Sequence, residues 1–279
     1  MWKEYYYCIQ SRKSKRIQSF LDEFELEYEL EDDYFTFWLA DNHIAFNKFK
    51  KKFPFILANL SQPVYTIEEI ETAKWLIVST SSQKVILENI DNAFSYMCEY
   101  KRLFSKEIHY RHMEQSGIFE AKKAVKWGNQ HYFYGSDMCA IRDLFCNDIA
   151  KKILLNNWKG FSFLPVKRYK KDDVYIENLN QVCFEKILPI EAIQLQGKER
   201  MKRCPNCGKI SYKIDRVFYQ LSLKKEYLSD MNSVYSTGNI WNTGIMEEYP
   251  MYIVPISFYH KCKQFGIDRN LYYEPVNVV

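Results

Sequence analysis

The chain has 279 residues, 39 Lys and Arg against 35 Asp and Glu for a formal charge of +4, and 47% hydrophobic residues including 22 Tyr and 19 Phe. That length suffices for one large or two ordinary domains, each with its own core, and nine Gly with eight Pro exclude collagen-like, linker-rich and low-complexity architectures. Residues 1–125 hold 17 basic and 19 acidic side chains and the remainder 22 and 16, so neither half carries the dense basic stripe that neutralises a nucleic-acid backbone.

The polar, then basic, stretch 1–16 is followed by no apolar core of signal-peptide length, and no run of about 18 apolar residues occurs. The expected location is the cytosol, with eight irregularly spaced cysteines reduced. Residues 2–9 read as an aromatic strand, and Ile17, Phe20, Leu21 and Phe24 have helical spacing. From Phe24 to Glu31 strict alternation puts Phe24, Leu26, Tyr28 and Leu30 on one face of an expected strand and Glu25, Glu27, Glu29 and Glu31 on the other. Two readings of that acidic face stay open: a solvated edge strand whose charges discourage pairing, and a docking surface for a basic partner. Strands are expected over 34–39 and 53–57, and Thr66 with Glu69 has the spacing of a capping box. Residues 75–79 form a short apolar strand. Ile90, Ala93, Phe94 and Met97 predict an amphipathic helix over 89–106, and His109 and His112 have the spacing to share a helical face.

The segment from Lys126 contains an echo at a shift of 110 positions. In each copy a helix, capped by Asn147 or Ser257, leads through a turn to an aromatic strand closing at Pro165-Val166 or Pro275-Val276. The expected fold is α+β, with mixed small sheets, packed helices and this helix-turn-strand repeat in the C-terminal half. Its expected domains are 1–125, carrying the acidic strand, and 126–279.

Cys204-Pro205-Asn206-Cys207-Gly208-Lys209 places two thiols three positions apart on a turn, which is half of a structural zinc site. Cys183 with His260 or Cys262 is the economical set to complete it. Gly238 and Gly244 frame a loop with Trp241 near its tip, where a rigid indole is suited to anchor a partner. Ser81-Ser82-Gln83-Lys84 imitates an S-x-x-K motif without its K-T-G companion, and no phosphate-binding Gly-rich loop, HExxH or GxSxG string occurs.

Lys126-Trp127-Gly128, Asp143-Leu144-Phe145, Gly160-Phe161, Pro165-Val166, Leu188-Pro189, Cys204-x-x-Cys207-Gly208 and Pro275-Val276 follow one another in an order that resembles the double-CXXCG motif proteins. These are bacterial immunity proteins of contact-dependent killing systems, with relatives beside polymorphic toxins. The resemblance covers residues 105–279, and this chain has one CxxCG pair where the family name implies two. It implies a cytoplasmic immunity protein, not an enzyme, that binds and blocks a protein toxin, with Cys204 and Cys207 on one structural zinc. Glu25, Glu27, Glu29, Glu31 and Trp241 are the expected partner-binding residues. The alternatives are a zinc-ribbon nucleic-acid module and an enzyme of unrecognised class.

Overall fold

Strand β1 (Trp2–Gln10) begins the first of two units in this computed structural model, and α1 (Lys15–Glu23), β2 (Tyr28–Glu31), β3 (Tyr34–Ala40), α2 (Ile44–Lys52) and β4 (Leu60–Val64) follow. The structure describes residues 2–10, 15–31, 34–56, 60–80, 83–88, 93–101, 109–136, 143–194, 199–204, 207–214, 221–238, 241–242 and 250–279. The sheet order is β2-β3-β1-β4 with all neighbours antiparallel, so two βαβ halves interleave and the first strand lies inside the sheet. Alternation along β1 turns Tyr5 and Tyr7 toward the helices. Tyr7 stacks on Phe37 at 4.8 Å and meets Phe49 edge-on at 5.0 Å, and Tyr5 lies 4.9 Å from Phe46. Ile17, Phe20 and Leu21 complete this core from α1. Lys48, Lys50 and Lys52 of α2 hold their ammonium groups 4.8, 4.8 and 5.1 Å over the rings of Phe24, Phe46 and Phe20, cation–π contacts made from exposed side chains.

Two expectations in this unit are corrected. The alternating segment 24–31 is a strand only from Tyr28: Leu26 N–H reaches back to Leu21 O at 2.9 Å, and Glu25 sits at φ 54, the left-handed residue that closes α1. Phe24 stays with the helix because it lies one turn beyond Phe20, with ring centroids 4.8 Å apart. The strand expected over 53–57 gives way to the end of α2, where Phe53 N–H bonds Phe49 O at 2.8 Å; Leu57 lies outside the described residues.

The division between the units falls within α3 (Ile67–Thr72), so the expected boundary near 125 lies inside the second unit. The capping box is formed: Glu69 N–H donates to Thr66 Oγ1 at 3.1 Å, and Thr66 N–H donates to Glu69 Oε2 at 2.8 Å. The second unit continues with β5 (Trp75–Thr80), β6 (Gln83–Glu88), β7 (Phe94–Lys101), β8 (His109–Gln115), β9 (Glu120–Ala121), β10 (Tyr132–Ser136), β11 (Leu144–Cys146), α4 (Asp148–Asn157), β12 (Phe161–Arg168) and β13 (Tyr175–Phe184). It then runs through β14 (Glu199–Arg203), β15 (Ile210–Ile214), β16 (Ser222–Leu223), β17 (Tyr235–Ser236) and β18 (Trp241–Asn242) to β19 (Tyr252–Pro255), α5 (Ile256–Gln264), β20 (Leu271–Pro275) and β21 (Asn277–Val278).

Six strands close a barrel in the order β10-β11-β13-β12-β9-β6. Leu87, Phe119, Phe133, Phe145, Val166 and Leu179 form one core. Tyr132, Leu144, Cys146 and Val182 belong to a second core, shared with α4, α5 and the sheet β17-β19-β5-β20 through Leu154, Phe258, Leu76 and Val254. Successive residues of β10 and β11 therefore face different cores, and both strands read as apolar runs without polar alternation. Gly135 is required on β10 because a Cβ there would strike the Phe145 ring.

Asn147 caps α4 as expected, its Oδ1 accepting from Ala150 N–H at 2.9 Å, a contact of the kind that contributes about 1 kcal/mol. Ser257 is not a cap. Pro255 precedes α5, and Ser257 sits in its first turn with Oγ accepting from Trp158 Nε1 at 3.2 Å. Both helices lead to strands, but into different sheets: β12 belongs to the barrel and β20 to the open sheet. Pro165 lies within β12 beside a register shift, where the missing N–H is tolerated, while Pro275 ends an edge strand as expected. The helix expected over 89–106 is also overturned, since residues 94–101 pair with β8 as an antiparallel hairpin. Positions 109 and 112 then fall on opposite faces of a strand, not on one helical face.

Candidate functional site

Cys204 and Cys207 lie at the tip of the β14–β15 hairpin. Cys204 N–H donates to Lys209 O at 2.8 Å, Gly208 N–H donates to Cys204 O at 2.9 Å, and Gly208 takes the left-handed conformation that folds the tip back. Arg203 braces the turn from outside, Nη1 donating to Gly208 O at 3.1 Å. Cys204 is buried and Cys207 exposed, and neither is in a disulfide. Such a turn offers two thiolates to a soft metal ion, half of the four ligands a structural zinc requires.

The remaining half is not supplied by the expected residues. Among the described residues no three His, Cys, Asp or Glu side chains gather into a ligand group. Cys262 is enclosed by the α5 core beside Tyr132 and Tyr273, and burial pushes its thiol up to about 12. Cys183 sits on β13 opposite Ser162, its thiol pushed up to about 11 by burial and by the neighbouring Asp143 carboxylate. His260 is exposed on α5. The residues present therefore supply two of the four ligands of a single zinc, and a tetrahedral site needs donors from beyond this set.

The glutamates are spread around a turn and not along one strand face. Glu25 occupies the left-handed position after α1, Glu27 precedes β2, and Glu29 lies within it opposite Thr36; all three are exposed. Glu31 pairs with Tyr34 in register. Trp241 is placed beside the cysteine hairpin, since β18 runs parallel to β15 with Tyr212 and Trp241 as partners. Residues 205–206, 239–240 and 243–249, on the cysteine turn and on either side of β18, lie outside the described residues, as do Ser81 and Ser82 of the S-x-x-K string.

One polar cluster has no signature in the sequence. The side-chain amides of Gln115 and Gln181 donate to each other at 2.7 and 2.8 Å, and Gln181 also bonds the carboxyl of Asp143. The Tyr252 hydroxyl lies 3.5 Å from Asp143 Oδ1. Burial pushes the Asp143 carboxyl up to about 6, with the Gln181 and Tyr252 bonds opposing the shift. A carboxyl titrating there can exchange a proton near neutrality. It does not activate Cys183, because that thiol is shifted upward and so stays protonated and weakly nucleophilic. These residues are far apart in the chain, and only closure of the second unit brings them together.

No helix among the described residues is long and apolar enough to cross a membrane. The chain matches no protein-family model, and neither a curated protein nor a solved structure is significantly similar to it.

Proposed function

We propose that the chain acts by binding, as an immunity protein that occludes a cognate protein toxin without turnover. The observation that carries this reading is a run of exposed carboxylates in the first unit: Glu25, Glu27 and Glu29 follow one another through the α1–β2 junction and are all exposed. An exposed acidic patch of this kind attracts a basic partner, and opposite charge raises encounter rates well above the unassisted value. The order of motifs over residues 105–279 supports the same class.

Replacing Glu25, Glu27, Glu29 and Glu31 together by Gln is expected to leave the fold intact, slow association with the toxin about ten-fold at low salt, and weaken protection in co-expression. The difference should shrink as ionic strength rises past about 0.15 M, where exposed charges act over roughly 8 Å. Unchanged association at low salt would remove the acidic patch from the interface.

The half site at Cys204 and Cys207 belongs to the same reading as a structural zinc position. Elemental analysis of protein purified without chelator is expected to find about one zinc per chain, and Cys204→Ser should release it and lower the melting temperature, because metal binding is linked to folding. Metal-free parent protein of unchanged stability would exclude the zinc.

A further inference from the structure

The face of the first sheet turned away from α1 and α2 carries aromatic rings set between carboxylates. Tyr6 of β1 and Trp38 of β3 are direct cross-strand partners with ring centroids 5.1 Å apart. Trp38 is 40% exposed, and Tyr34, on the same face of β3, is 48% exposed. In the register, Glu29 stands across from Thr36, between Tyr34 and Trp38. Glu4 stands across from Ala40, on the other side of Trp38. With a rise of about 3.4 Å per residue, each carboxylate-bearing row lies about 7 Å along the strands from the Tyr6–Trp38 row.

We propose that this face docks a cationic segment of a protein partner, with an arginine or lysine side chain over Trp38 and Tyr6 and its charge met by Glu4 and Glu29. Indole is the best aromatic face for a cation, and a guanidinium can stack on the ring while its edge donates to a carboxylate. The unit already makes such contacts on its other side, where the lysines of α2 lie over Phe20, Phe24 and Phe46. Aromatic rings on the inner strands of a four-stranded sheet would also suit stacked nucleic-acid bases. Charge decides between the two occupants, because carboxylates on both sides of the rings repel phosphates and attract cations. The inference deepens the proposed function by giving the partner's chemistry, and it rests on that reading only in taking the partner to be a protein.

Fluorescence anisotropy of a labelled oligoarginine peptide titrated with the full chain is expected to show saturable binding. Trp38→Ala should weaken it about ten-fold, and Glu29→Gln by a few-fold, with the loss for Glu29→Gln vanishing at high salt. Glu29 is exposed on an edge strand, so its variant reports on the face even if Trp38→Ala were to perturb folding. Absence of peptide binding, parental affinity in both variants, or tighter saturable binding of an oligothymidylate overturns the proposal. Failure here with toxin protection intact would reject this face alone. Peptide binding that depends on Trp38, in a protein that protects no cell, would reject the immunity reading alone.

Discussion

Phe145→Ala is expected to destabilise the second unit by about 3–5 kcal/mol, read as a shift in the urea midpoint with unchanged slope. Its ring is fully buried on β11, with the Phe119 centroid 5.9 Å away and the backbone of Gly135 against its edge. Two features keep the site from collapsing around the void. β11 is held between β10 and β13 in a closed barrel, and its flanking side chains, Leu144 and Cys146, are fixed in the other core. Phe145→Leu keeps most of the volume and should lose less than half as much. A loss below about 1 kcal/mol for the alanine variant would mean that the ring does not fill the core as described.

Asp143→Asn is expected to stabilise the protein at pH 7.5 by roughly 1–2 kcal/mol and to flatten the pH dependence of stability below that. The folded state raises this half-buried carboxyl to about 6, whereas in the unfolded chain an Asp titrates near ~3.9. The folded state thus holds the proton more tightly. Its contribution is complete below about pH 4 and is lost as pH climbs through about 6, opposite in direction to an ion-paired carboxylate. Solvent at the site brings the effect below full conversion of the shift. Urea melts of parent and variant at pH 4.5 and pH 7.5 measure it. A gap between the two proteins that stays constant across that interval would place the carboxyl in an environment no different from water.

Much of the backbone was legible in residues 2–80. β1, α1, β3, β5 and the Thr66–Glu69 capping box follow from alternation, helical spacing and a start signal that acts locally. The acidic segment misled because Phe24 satisfies two periods at once, the strand alternation with Leu26 and the helical stripe from Phe20, and packing on Phe20 favours the second. Helix α2 carries a proper stripe in Ala45, Phe46 and Phe49, but its cap is His43, whose Nδ1 accepts from Ala45 N–H at 3.1 Å, a residue outside the usual capping set. In residues 89–106 a helical spacing through Ala93, Phe94 and Met97 hid a strand whose alternation is itself interrupted by a bulge between Tyr96 and Cys98. The hairpin partner that settles the choice, β8, begins at His109. Of the candidate site, the cysteine turn was visible because its residues are adjacent. The Tyr6–Trp38 pair and the Asp143–Gln181 contact were not, since each depends on a register or a closure that no local pattern encodes.

β5 sits at the centre of a sheet whose other strands are all made much later. Ile77 pairs with Ile253 on one side, and Val78 with Tyr273 on the other. At about 5–20 residues per second, a ribosome needs on the order of ten to forty seconds between β5 and its last neighbour. Throughout that interval Leu76, Ile77 and Val78, all buried in the finished protein, are outside any completed sheet. The first unit faces no such delay, because β4 brings its last strand within 64 residues. Translation therefore completes the four strands of the first sheet early, while the second unit carries an apolar strand waiting for its partners. That strand makes the nascent chain a client for whatever shields hydrophobic segments at the ribosome.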